Sequence, residues 1–526
     1  MDSACNSRYT CLMPSSSLGS VSSVIRLSRI DNVGVARSDI ASGEALGEAD
    51  VTARQAIPRG HKVALADISA GSVVVKYGQP IGVASTAICA GEHVHLHNLS
   101  MRGDLQQRDF TGYGAAASAP REAERRTFAG YLRADRHVGT RNYIAIISSV
   151  NCSATVSRYI AEHFGRSDGL RGREHIDGVV PLTHGSGCAI NTQGEGYRLL
   201  TRTLQGYARN PNVGGVLMIG LGCEHAQVQR IVEEYGLKEG PVLRTLTIQN
   251  AGGTRKAIEA GCEAIAGMLD EVDACRRSMQ PLSHIRVGLQ CGGSDGYSGI
   301  SANPALGCAM DLLVAQGGTA VLSETPEIYG AEHLLTRRAV SPAVAEKLLE
   351  RINWWLDYTG RNGSELNNNP SPGNKEGGLT TILEKSLGAV AKGGSTALQA
   401  VYEYAERIKT SGLVFMDTPG YDPVSVTGQV AGGCNLICFT TGRGSVSGFK
   451  PAPCIKIATN SQMYQHMSED MDINCGTIIT GQQNVAGAGA EIFERIIAVA
   501  SGEKTKSETY DYGDNEFVPW QLGAIT

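Results

Sequence analysis

The sequence predicts an α/β protein in which a small N-terminal β unit precedes two α/β domains with mainly parallel sheets. Its 526 residues are enough for about three domains of ordinary size. Residues 24–99 contain short runs of Val, Ile and Ala between turn residues, which is the pattern of a small β domain. From residue 129 onwards, apolar runs alternate with segments of helical spacing, and this alternation is typical of βαβ units.

Changes of composition place the domain boundaries. Residues 100–128 are rich in Gly, Ala and Arg without periodicity and predict a linker. A helix-like segment gives way to an apolar run near Ile285, which separates the two α/β domains. The expected units are a disordered tail (1–23), a β domain (24–99), a linker (100–128), an α/β middle domain (129–283) and an α/β C-terminal domain (284–526).

The strands of the α/β domains are predicted from apolar runs that lack alternation, as expected of parallel strands covered on both faces. In the middle domain they are NYIAIISSV (142–150), GVVPLT (178–183) and VGGVLMIG (213–220), with a helix over 153–164. In the C-terminal domain they are IRVGLQ (285–290), TAVLSET (319–325), LVFMD (413–417), LICFTTGRG (436–444) and CIKIATN (454–460). Pro372 to Gly378 lie in a polar, glycine-rich segment that predicts a long loop, a candidate lid.

Charge and hydropathy exclude several classes of function. The net charge is −5 and the pI is near 6.2, which argues against binding to nucleic acid or to an anionic membrane surface. No apolar run approaches the roughly 18 residues that a membrane-spanning helix needs. The first twenty residues lack the features of a signal peptide, and the 14 cysteines show no disulfide pattern. We therefore expect a reducing compartment, the cytoplasm.

Glycine is unusually frequent, at 65 residues or about 12%, where about 7% is usual. The glycines follow no collagen period, so tight loops between packed elements are the remaining explanation. Neither a dinucleotide-binding G-x-G-x-x-G nor a phosphate-binding P-loop motif occurs where it would be needed. We predict no nucleotide cofactor.

Four cysteines lie near predicted strand ends. Ligands of open parallel sheets bind at this edge, and thiols suit a soft or borderline metal or an iron–sulfur cluster. The alternative is that they are small buried residues, as free cysteines often are. The cysteines, and the titratable residues close to them, are Cys152, Cys188 with His184, Cys223 with Glu224, and Cys291 with Asp295.

A second set of titratable residues belongs to the N-terminal domain. His61 and Lys62 are neighbours in GHK, and His93, His95 and His97 alternate in the segment HVHLH. On a strand the three alternating imidazoles project from one face, and neutral imidazole is a common metal ligand. The alternative is a solvated edge strand.

Two glycine loops each carry a cation, Arg443 in TTGRG and Lys375 in SPGNKEGG. Backbone N–H groups beside a cation suit a carboxylate or phosphate on a small substrate. The alternative is a glycine turn with a solvated cation.

These same residues carry a resemblance to the altronate and galactarate dehydratases of bacterial hexuronate and hexarate catabolism. The resemblance extends from about residue 24 to the C-terminus. The motifs are GHKVALADI (60–68), KYGQPIG (76–82), GLGCE (220–224), CGGSDGYSGISANPALG (291–307), NPSPGNKEGG (369–378), TTGRG (440–444), KIATN (456–460) and DMDINCG (470–476).

The resemblance implies an N-terminal domain of the SAF type, followed by the catalytic part of the chain, and a divalent metal, Fe²⁺ or Mn²⁺, that supports dehydration of a sugar acid. An iron–sulfur cluster on Cys188, Cys223 and Cys291 is the alternative. The expected partners are a small-molecule sugar-acid substrate and, in a homo-oligomer, further copies of this chain. The roles are our own expectations. The expected catalytic residues are His61, Lys62, His184, Glu224 and Asp295; the expected substrate-binding residues are Ser294, Asn303, Asn374, Lys375, Thr441 and Arg443; the expected metal ligands are Cys152, Cys188, Cys223, Cys291, His93 and His95.

The resemblance leaves the substrate open. GEHVHLHN (91–98) is similar to the altronate type, whereas the residues after TTGRG depart from the T-P-Y-G version found in both types. We expect D-altronate as substrate, with galactarate, another hexonate or hexarate, or a sulfolactate from which sulfite leaves as alternatives. A non-catalytic sugar-acid binding protein is a further alternative.

Overall fold

The computed structural model describes residues 22–48, 50–101, 124–166 and 168–523. Residues 1–21 of the predicted tail and residues 102–123 of the predicted linker lie outside this part of the chain. The predicted class is confirmed: a small β domain is followed by α/β regions with parallel sheets.

The N-terminal domain consists of short strands in two sheets, with strand orders β1-β2-β3-β6 and β4-β5-β7. Its apolar residues point inwards, and Val63, Ile81 and Val94 are fully buried. The strands are β1 (Val24–Ile25), β2 (Val33–Ala36), β3 (Lys62–Ala64), β4 (Val73–Lys76), β5 (Gln79–Ala84), β6 (His93–Val94) and β7 (Leu99–Ser100).

The histidine strand of this domain is shorter than predicted. It ends at Val94, because the side chain of Asn98 closes a turn by accepting from His95 N (2.9 Å) and donating to the His93 carbonyl (2.9 Å). His95 and His97 therefore lie in a turn and not on one face of a strand.

The middle domain is built on a four-stranded parallel sheet with strand order β11-β10-β12-β13. The strands are β10 (Tyr143–Ser148), β11 (Gly178–Leu182), β12 (Val213–Gly220) and β13 (Leu243–Thr247). The helices are α1 (Ala154–Arg166), α2 (Glu195–Ala208), α3 (Val228–Glu234), α4 (Ile248–Ala251), α5 (Thr254–Ala266) and α6 (Leu269–Ala274). A small antiparallel sheet of order β14-β8-β9 flanks the junction with the C-terminal domain, formed by β8 (Thr127–Leu132), β9 (Val138–Gly139) and β14 (Arg277–Pro281).

The C-terminal domain is built on a seven-stranded, all-parallel sheet with strand order β17-β18-β16-β15-β19-β20-β21. The strands are β15 (Arg286–Cys291), β16 (Thr319–Leu322), β17 (Leu398–Tyr402), β18 (Gly412–Met416), β19 (Leu436–Thr441), β20 (Cys454–Ala458) and β21 (Ile473–Asn474). The helices are α7 (Ala302–Ala315), α8 (His333–Thr336), α9 (Pro342–Arg361), α10 (Pro372–Glu376), α11 (Ile382–Val390), α12 (Asp422–Ala431), α13 (Ser461–His466), α14 (Gly476–Ile479), α15 (Val485–Ala500) and α16 (Lys506–Thr509).

The predicted loop around Pro372 contains a one-turn helix, α10. Proline occupies its first turn, where no N–H is required, and Ser371 and Asn374 form a reciprocal capping box. The segment is therefore more ordered than its glycine and proline content indicates. Among the described residues, no helix combines the length and apolar character that crossing a membrane would need.

The core of the C-terminal domain supports our first prediction. Leu289 lies on the central strand β15 and is fully buried, whereas Leu312 on α7 is 41% exposed. Leu289→Ala removes buried contacts and leaves a cavity, so we expect the free energy of unfolding to fall by about 2–5 kcal/mol. Leu312→Ala should change it by no more than about 0.5 kcal/mol. Urea unfolding followed by circular dichroism measures both, and equal effects would contradict the assigned strand position.

Candidate active site

The order of the seven-stranded sheet creates a crevice between β15 and β19. The chain moves from β15 to one side through β16 and β18, then returns to the other side with β19. Ligands of open α/β sheets bind at such a reversal, outside the carboxyl ends of the strands. Two predicted glycine loops meet here: Gly442 N and Arg443 N donate to the Gly293 carbonyl (3.1 and 2.9 Å).

Asp295 holds together the loops around this crevice. Its buried carboxylate accepts from Thr459 Oγ1 (2.9 Å), Asn460 Nδ2 (3.1 Å) and Ser298 Oγ (3.0 Å). Burial raises the pKa of Asp295, and these hydrogen bonds oppose that rise. The side chain is well placed to position the β15 and β20 loops.

Four of the predicted substrate-binding residues also make internal hydrogen bonds. Asn374 Nδ2 donates to the Ser294 carbonyl (2.9 Å), and Asn303 Oδ1 accepts from Thr440 Oγ1 (2.6 Å). Thr441 Oγ1 accepts a backbone N–H of its own glycine loop (2.9 Å). These contacts set the shape of the crevice wall.

The two predicted cations lie at the mouth of the crevice. Arg443 is about half exposed and pairs with the exposed Glu376 (3.1 Å). Lys375 lies on α10 beside it and is half-buried, and its ammonium group makes no ion pair with another described residue. Both cations are therefore available to an anionic ligand.

A buried cluster of acids, lysines and one thiol lies beneath the crevice. Lys392 Nζ donates to Cys291 Sγ (2.7 Å) and to Glu324 Oε2 (2.8 Å). Lys385 Nζ donates to Glu327 Oε1 (2.6 Å), and Cys291 Sγ is 3.4 Å from Glu327 Oε2. All five side chains are buried.

The environments of the buried acids move their pKa values in opposite directions. Burial raises the pKa of Glu324 to about 8, against the opposing effect of Lys392. Burial acts on Glu327 too, but Lys385 and Lys392 hold its pKa below the usual value. At the start of α12, burial and the charge of Glu327 raise the pKa of Asp422 to about 7. Opposed pKa values among neighbouring acids are typical of functional sites.

Cys291, Glu324 and Glu327 could together hold a metal ion. They are the one group of three metal-binding side chains, in the described ranges, whose ligand atoms all lie within 4.8 Å of one another. Glu324 has a left-handed backbone (φ 66°) and a buried Oε1 without a hydrogen-bond partner, as expected of a strained residue with an unused acceptor. Thiolate and carboxylate donors are compatible with a divalent transition metal.

A second buried charge cluster joins the N-terminal domain to the C-terminal domain. Lys62 Nζ and Lys76 Nζ each donate to one oxygen of Glu384 (2.9 and 2.8 Å), and Lys62 also donates to the Gly378 carbonyl (2.7 Å). All three charged side chains are inaccessible to solvent. Burial lowers the pKa of Lys62 to about 8, even though Glu384 opposes that shift. Burial also disfavours charge on Lys76, but Glu384 raises its pKa overall.

The predicted histidines pack against α10 at the same interface. His61 Nε2 donates to the Glu376 carbonyl (3.0 Å) and His95 Nε2 donates to the Lys375 carbonyl (2.9 Å). His61 Nδ1 therefore accepts from His93 Nε2 (3.0 Å) when His61 is neutral. Burial lowers the pKa of all three histidines, to about 3 for His93 and about 4 for His95. Both ring nitrogens of His61 are already engaged.

The remaining predicted residues lie on the middle domain, around the carboxyl ends of its own sheet. His184 is buried, donates from Nε2 to the Ser148 carbonyl (2.9 Å) and accepts at Nδ1 from Ser186 N (3.2 Å). Glu224 is buried and accepts from Ser149 Oγ (2.9 Å). The predicted metal ligands Cys152, Cys188 and Cys223 are exposed at this edge.

The structure thus divides the predicted residues between two sheets. The 371–378 segment contacts the N-terminal histidines, Lys62 and Arg443, and Cys291 and Asp295 lie at the neighbouring end of β15. Three cysteines, His184 and Glu224 lie instead around the carboxyl ends of the middle-domain sheet. The residues that sequence reasoning missed are Glu327, Glu384, Lys385, Lys392 and Asp422. The sequence did carry a signal for three of these residues. Glu384 and Lys385 interrupt the otherwise apolar helix ILEKSLGAV, and Glu327 follows closely on strand β16.

Three family models match the chain in order. The altronate/galactarate dehydratase SAF domain matches residues 22–102. The second domain of the D-galactarate dehydratase/altronate hydrolase family matches residues 130–273. The C-terminal domain of D-galactarate/altronate dehydratases matches residues 282–525.

Curated relatives cover most of the chain. Altronate dehydratase of Escherichia coli is 38% identical over 493 residues, which are 93% of this chain and 97% of the relative. Galactarate dehydratase (L-threo-forming) of Escherichia coli is 37% identical over 468 residues, 85% of this chain and 87% of the relative. The beta subunit of (2R)-sulfolactate sulfo-lyase of Chromohalobacter salexigens is 32% identical, covering 76% of this chain and 99% of the relative.

The charge cluster between the domains supports a stability prediction. Glu384→Gln leaves two ammonium groups buried without a carboxylate, and breaking a buried ion pair in this way costs about 3–5 kcal/mol. Glu376→Gln removes an exposed pairing with Arg443, for which about 0–1 kcal/mol is expected. The free energy of unfolding in urea measures both changes. Similar values for the two variants would show that the buried triad does not stabilise the protein.

Proposed function

The chain belongs to the altronate/galactarate dehydratase family, and from this premise we propose that it removes water from a sugar acid such as D-altronate to give a 2-keto-3-deoxy acid. It is a hydro-lyase of the sugar-acid dehydratase type. The observation that carries the proposal is the crevice at the strand-order reversal, where two available cations lie above buried acids of opposed pKa.

The reaction sets clear chemical requirements. The hydrogen next to a carboxylate is a very weak acid, so its removal needs a positioned base and groups that stabilise the enediolate as charge develops. Loss of the hydroxyl at the next carbon needs an acid that protonates the leaving oxygen. The enol that results tautomerises to the ketone.

Arg443 and Lys375 bind the substrate carboxylate in this proposal. A guanidinium group matches a carboxylate with two parallel hydrogen bonds. Its present partner, Glu376, is exposed, so a substrate carboxylate replaces that contact at little cost. Lys375 adds a second charge without giving up an ion pair seen among the described residues.

Lys62 is the proposed base. Its pKa of about 8 gives a substantial neutral fraction near physiological pH, which is the range in which a general base is most effective. The Gly378 carbonyl and Glu384 fix the position of Nζ. In this proposal the substrate replaces the Gly378 carbonyl as a partner of Nζ.

Asp422 is the proposed acid for the departing hydroxyl. Its pKa of about 7 keeps a large protonated fraction at neutral pH. Its carboxylate lies against the backbone of Gly292, where an added Cβ would be 2.4 Å from Oδ2. This places the acid at the glycine loop that lines the crevice.

Cys291, Glu324 and Glu327 are the residues that would hold the family's divalent ion, which we propose to be Fe²⁺ or Mn²⁺. Their clustered donors and the unpartnered Glu324 Oε1 support this assignment. When bound, such an ion supplies a Lewis acid that stabilises negative charge on substrate oxygen. Lys385 and Lys392 hold these side chains in place and limit their charge.

A panel of acids tests the proposed function. Iron-supplied protein, purified without oxygen, is incubated with aldonic acids, aldaric acids and sulfolactate, and 2-keto-3-deoxy product and sulfite are measured. We expect keto-deoxy product from a six-carbon acid, with altronate preferred. Sulfite from sulfolactate alone would replace the proposal with a sulfo-lyase, as in the relative with that name. Ligand-induced thermal stabilisation without any product would point to a binding protein.

The lysine pair tests the assignment of the base. Lys62→Met should lower kcat/KM by about 10²–10⁴-fold, with folding checked by thermal unfolding. Lys76→Met removes an equally buried partner of Glu384 but leaves the proposed base in place. Activity needs neutral Lys62 and protonated Asp422, so the wild-type kcat/KM should be bell-shaped, rising up to about pH 7 and falling above about pH 8. Because the charge of Lys76 lowers the pKa of Lys62, Lys76→Met should move the high-pH limb to higher pH and lower the maximum. Equal losses of kcat/KM in Lys62→Met and Lys76→Met, without a shift of the pH profile in Lys76→Met, would contradict the role of Lys62 as the base.

A further inference from the structure

Three cysteines of the middle domain are exposed at one edge of its sheet. Cys152 follows β10, Cys188 follows β11 and Cys223 follows β12, and these three strands are parallel neighbours. Of the twelve cysteines that the structure describes, six are buried, three are half-buried and only these three are exposed. Free cysteine is among the residue types most often buried, so three exposed thiols at adjacent strand ends call for a chemical explanation.

Backbone hydrogen bonds join the three loops into one surface. Asn151 N donates to the Ser186 carbonyl (3.0 Å), which links the Cys152 loop to the Cys188 loop. His225 N donates to the Cys188 carbonyl (3.1 Å), which links the Cys188 loop to the Cys223 loop. Gly187 has a φ of 101°, and an added Cβ would lie 2.2 Å from the Ser149 carbonyl oxygen. Only glycine permits this close packing.

Buried polar residues support the loops from below. Glu224 accepts from Ser149 Oγ, Leu221 N (3.1 Å) and Gly222 N (2.6 Å). His184 is tied to the end of β10 through the Ser148 carbonyl. These residues hold the loops rigid while the thiols face outwards, which is the arrangement expected around preorganised metal ligands. Cys152 lies in the short turn of chain that directly precedes α1.

The spacing of the thiols disfavours one small ion. Two sulfur atoms that bind the same zinc lie about 2.3 Å from it and hence no more than about 4.6 Å apart. Among the described residues, Cys152, Cys188 and Cys223 do not form a group with all ligand atoms within 4.8 Å, whereas Cys291, Glu324 and Glu327 do. An iron–sulfur cluster separates its protein ligands more widely, because each thiolate binds a different iron.

We propose that Cys152, Cys188 and Cys223 bind an iron–sulfur cluster through three thiolates, in the middle domain and separately from Cys291. Each thiol loses its proton when the cluster binds, and no redox step is required. In a cluster of four irons, these three cysteines leave one iron without a cysteine ligand. The cluster site does not depend on the proposed sugar-acid function.

Cluster content tests the site without using activity. The full chain is purified without oxygen and reconstituted with iron and sulfide, and iron, acid-labile sulfide, visible absorption and the electron paramagnetic resonance of the reduced protein are recorded. We expect about four irons and four sulfides per chain. Cys152→Ser, Cys188→Ser and Cys223→Ser should each lower the sulfide content at least five-fold.

Matched variants separate this result from loss of fold. Cys262→Ser lies in the same domain, is half-buried, and should keep full cluster content, as should Cys291→Ser. The exposed thiols contribute little packing, so all three serine variants should keep the thermal midpoint of the apoprotein. Unchanged sulfide in the triple serine variant, loss only in Cys291→Ser, or iron without sulfide would overturn the proposal. A cluster without product in the acid panel would instead overturn only the sugar-acid function.

Discussion

Two lysines of the N-terminal domain share one carboxylate of the C-terminal domain, and the position of the site depends on this buried contact. Removing ions from water costs several kcal/mol for each ion, so such a triad is tolerable only where its hydrogen bonds are satisfied. Glu384 meets this condition, because its oxygens accept from Lys62, Lys76 and Thr380 Oγ1 (2.7 Å). Lys62 and the histidines are thereby held against α10 and the mouth of the crevice.

The close packing of the N-terminal domain on the C-terminal domain accounts for part of the high glycine content. At Gly296 an added Cβ would lie 1.9 Å from the carbonyl oxygen of Gly60, and at Gly378 it would lie 2.3 Å from the same atom. The backbone of the N-terminal domain therefore packs directly on two loops of the crevice. Side chains at these positions would push the domains apart and move Lys62 away from Gly378 and Glu384. The glycines serve the approach of backbone to backbone, in addition to any approach of backbone to ligand.

The sequence was sufficient for the elements whose signal is local. Mostly buried strands such as β10, β12 and β15 are largely apolar runs, and the sequence alone places cysteines at or just after their ends. The His93–His97 segment was predicted as a strand, but the Asn98 side chain closes a turn there. The segment at Pro372 was predicted as a loop, but its capping box stabilises a turn of helix.

The buried charges could not be predicted in the same way. Glu384 is separated from Lys62 by 322 residues and from Lys76 by 308, and no local pattern pairs them. Lys385 and Lys392 likewise become partners of Glu327 and Glu324 only through the packing of α11 against the sheet. The sequence patterns pointed to histidines and cysteines, whereas the buried clusters in the described chain consist mainly of carboxylates and ammonium groups, with Cys291 among them.

We infer that one active site is assembled from two domains held together by a buried ion triad. Cutting the chain at a protease site inserted between residues 101 and 124 tests it most directly. Size-exclusion chromatography of the cut protein should show both parts eluting together, with dehydratase activity retained, and Glu384→Gln should make them separate. If the two parts of the cleaved protein separate although Glu384 is intact, and the larger part alone keeps full activity, the account is contradicted.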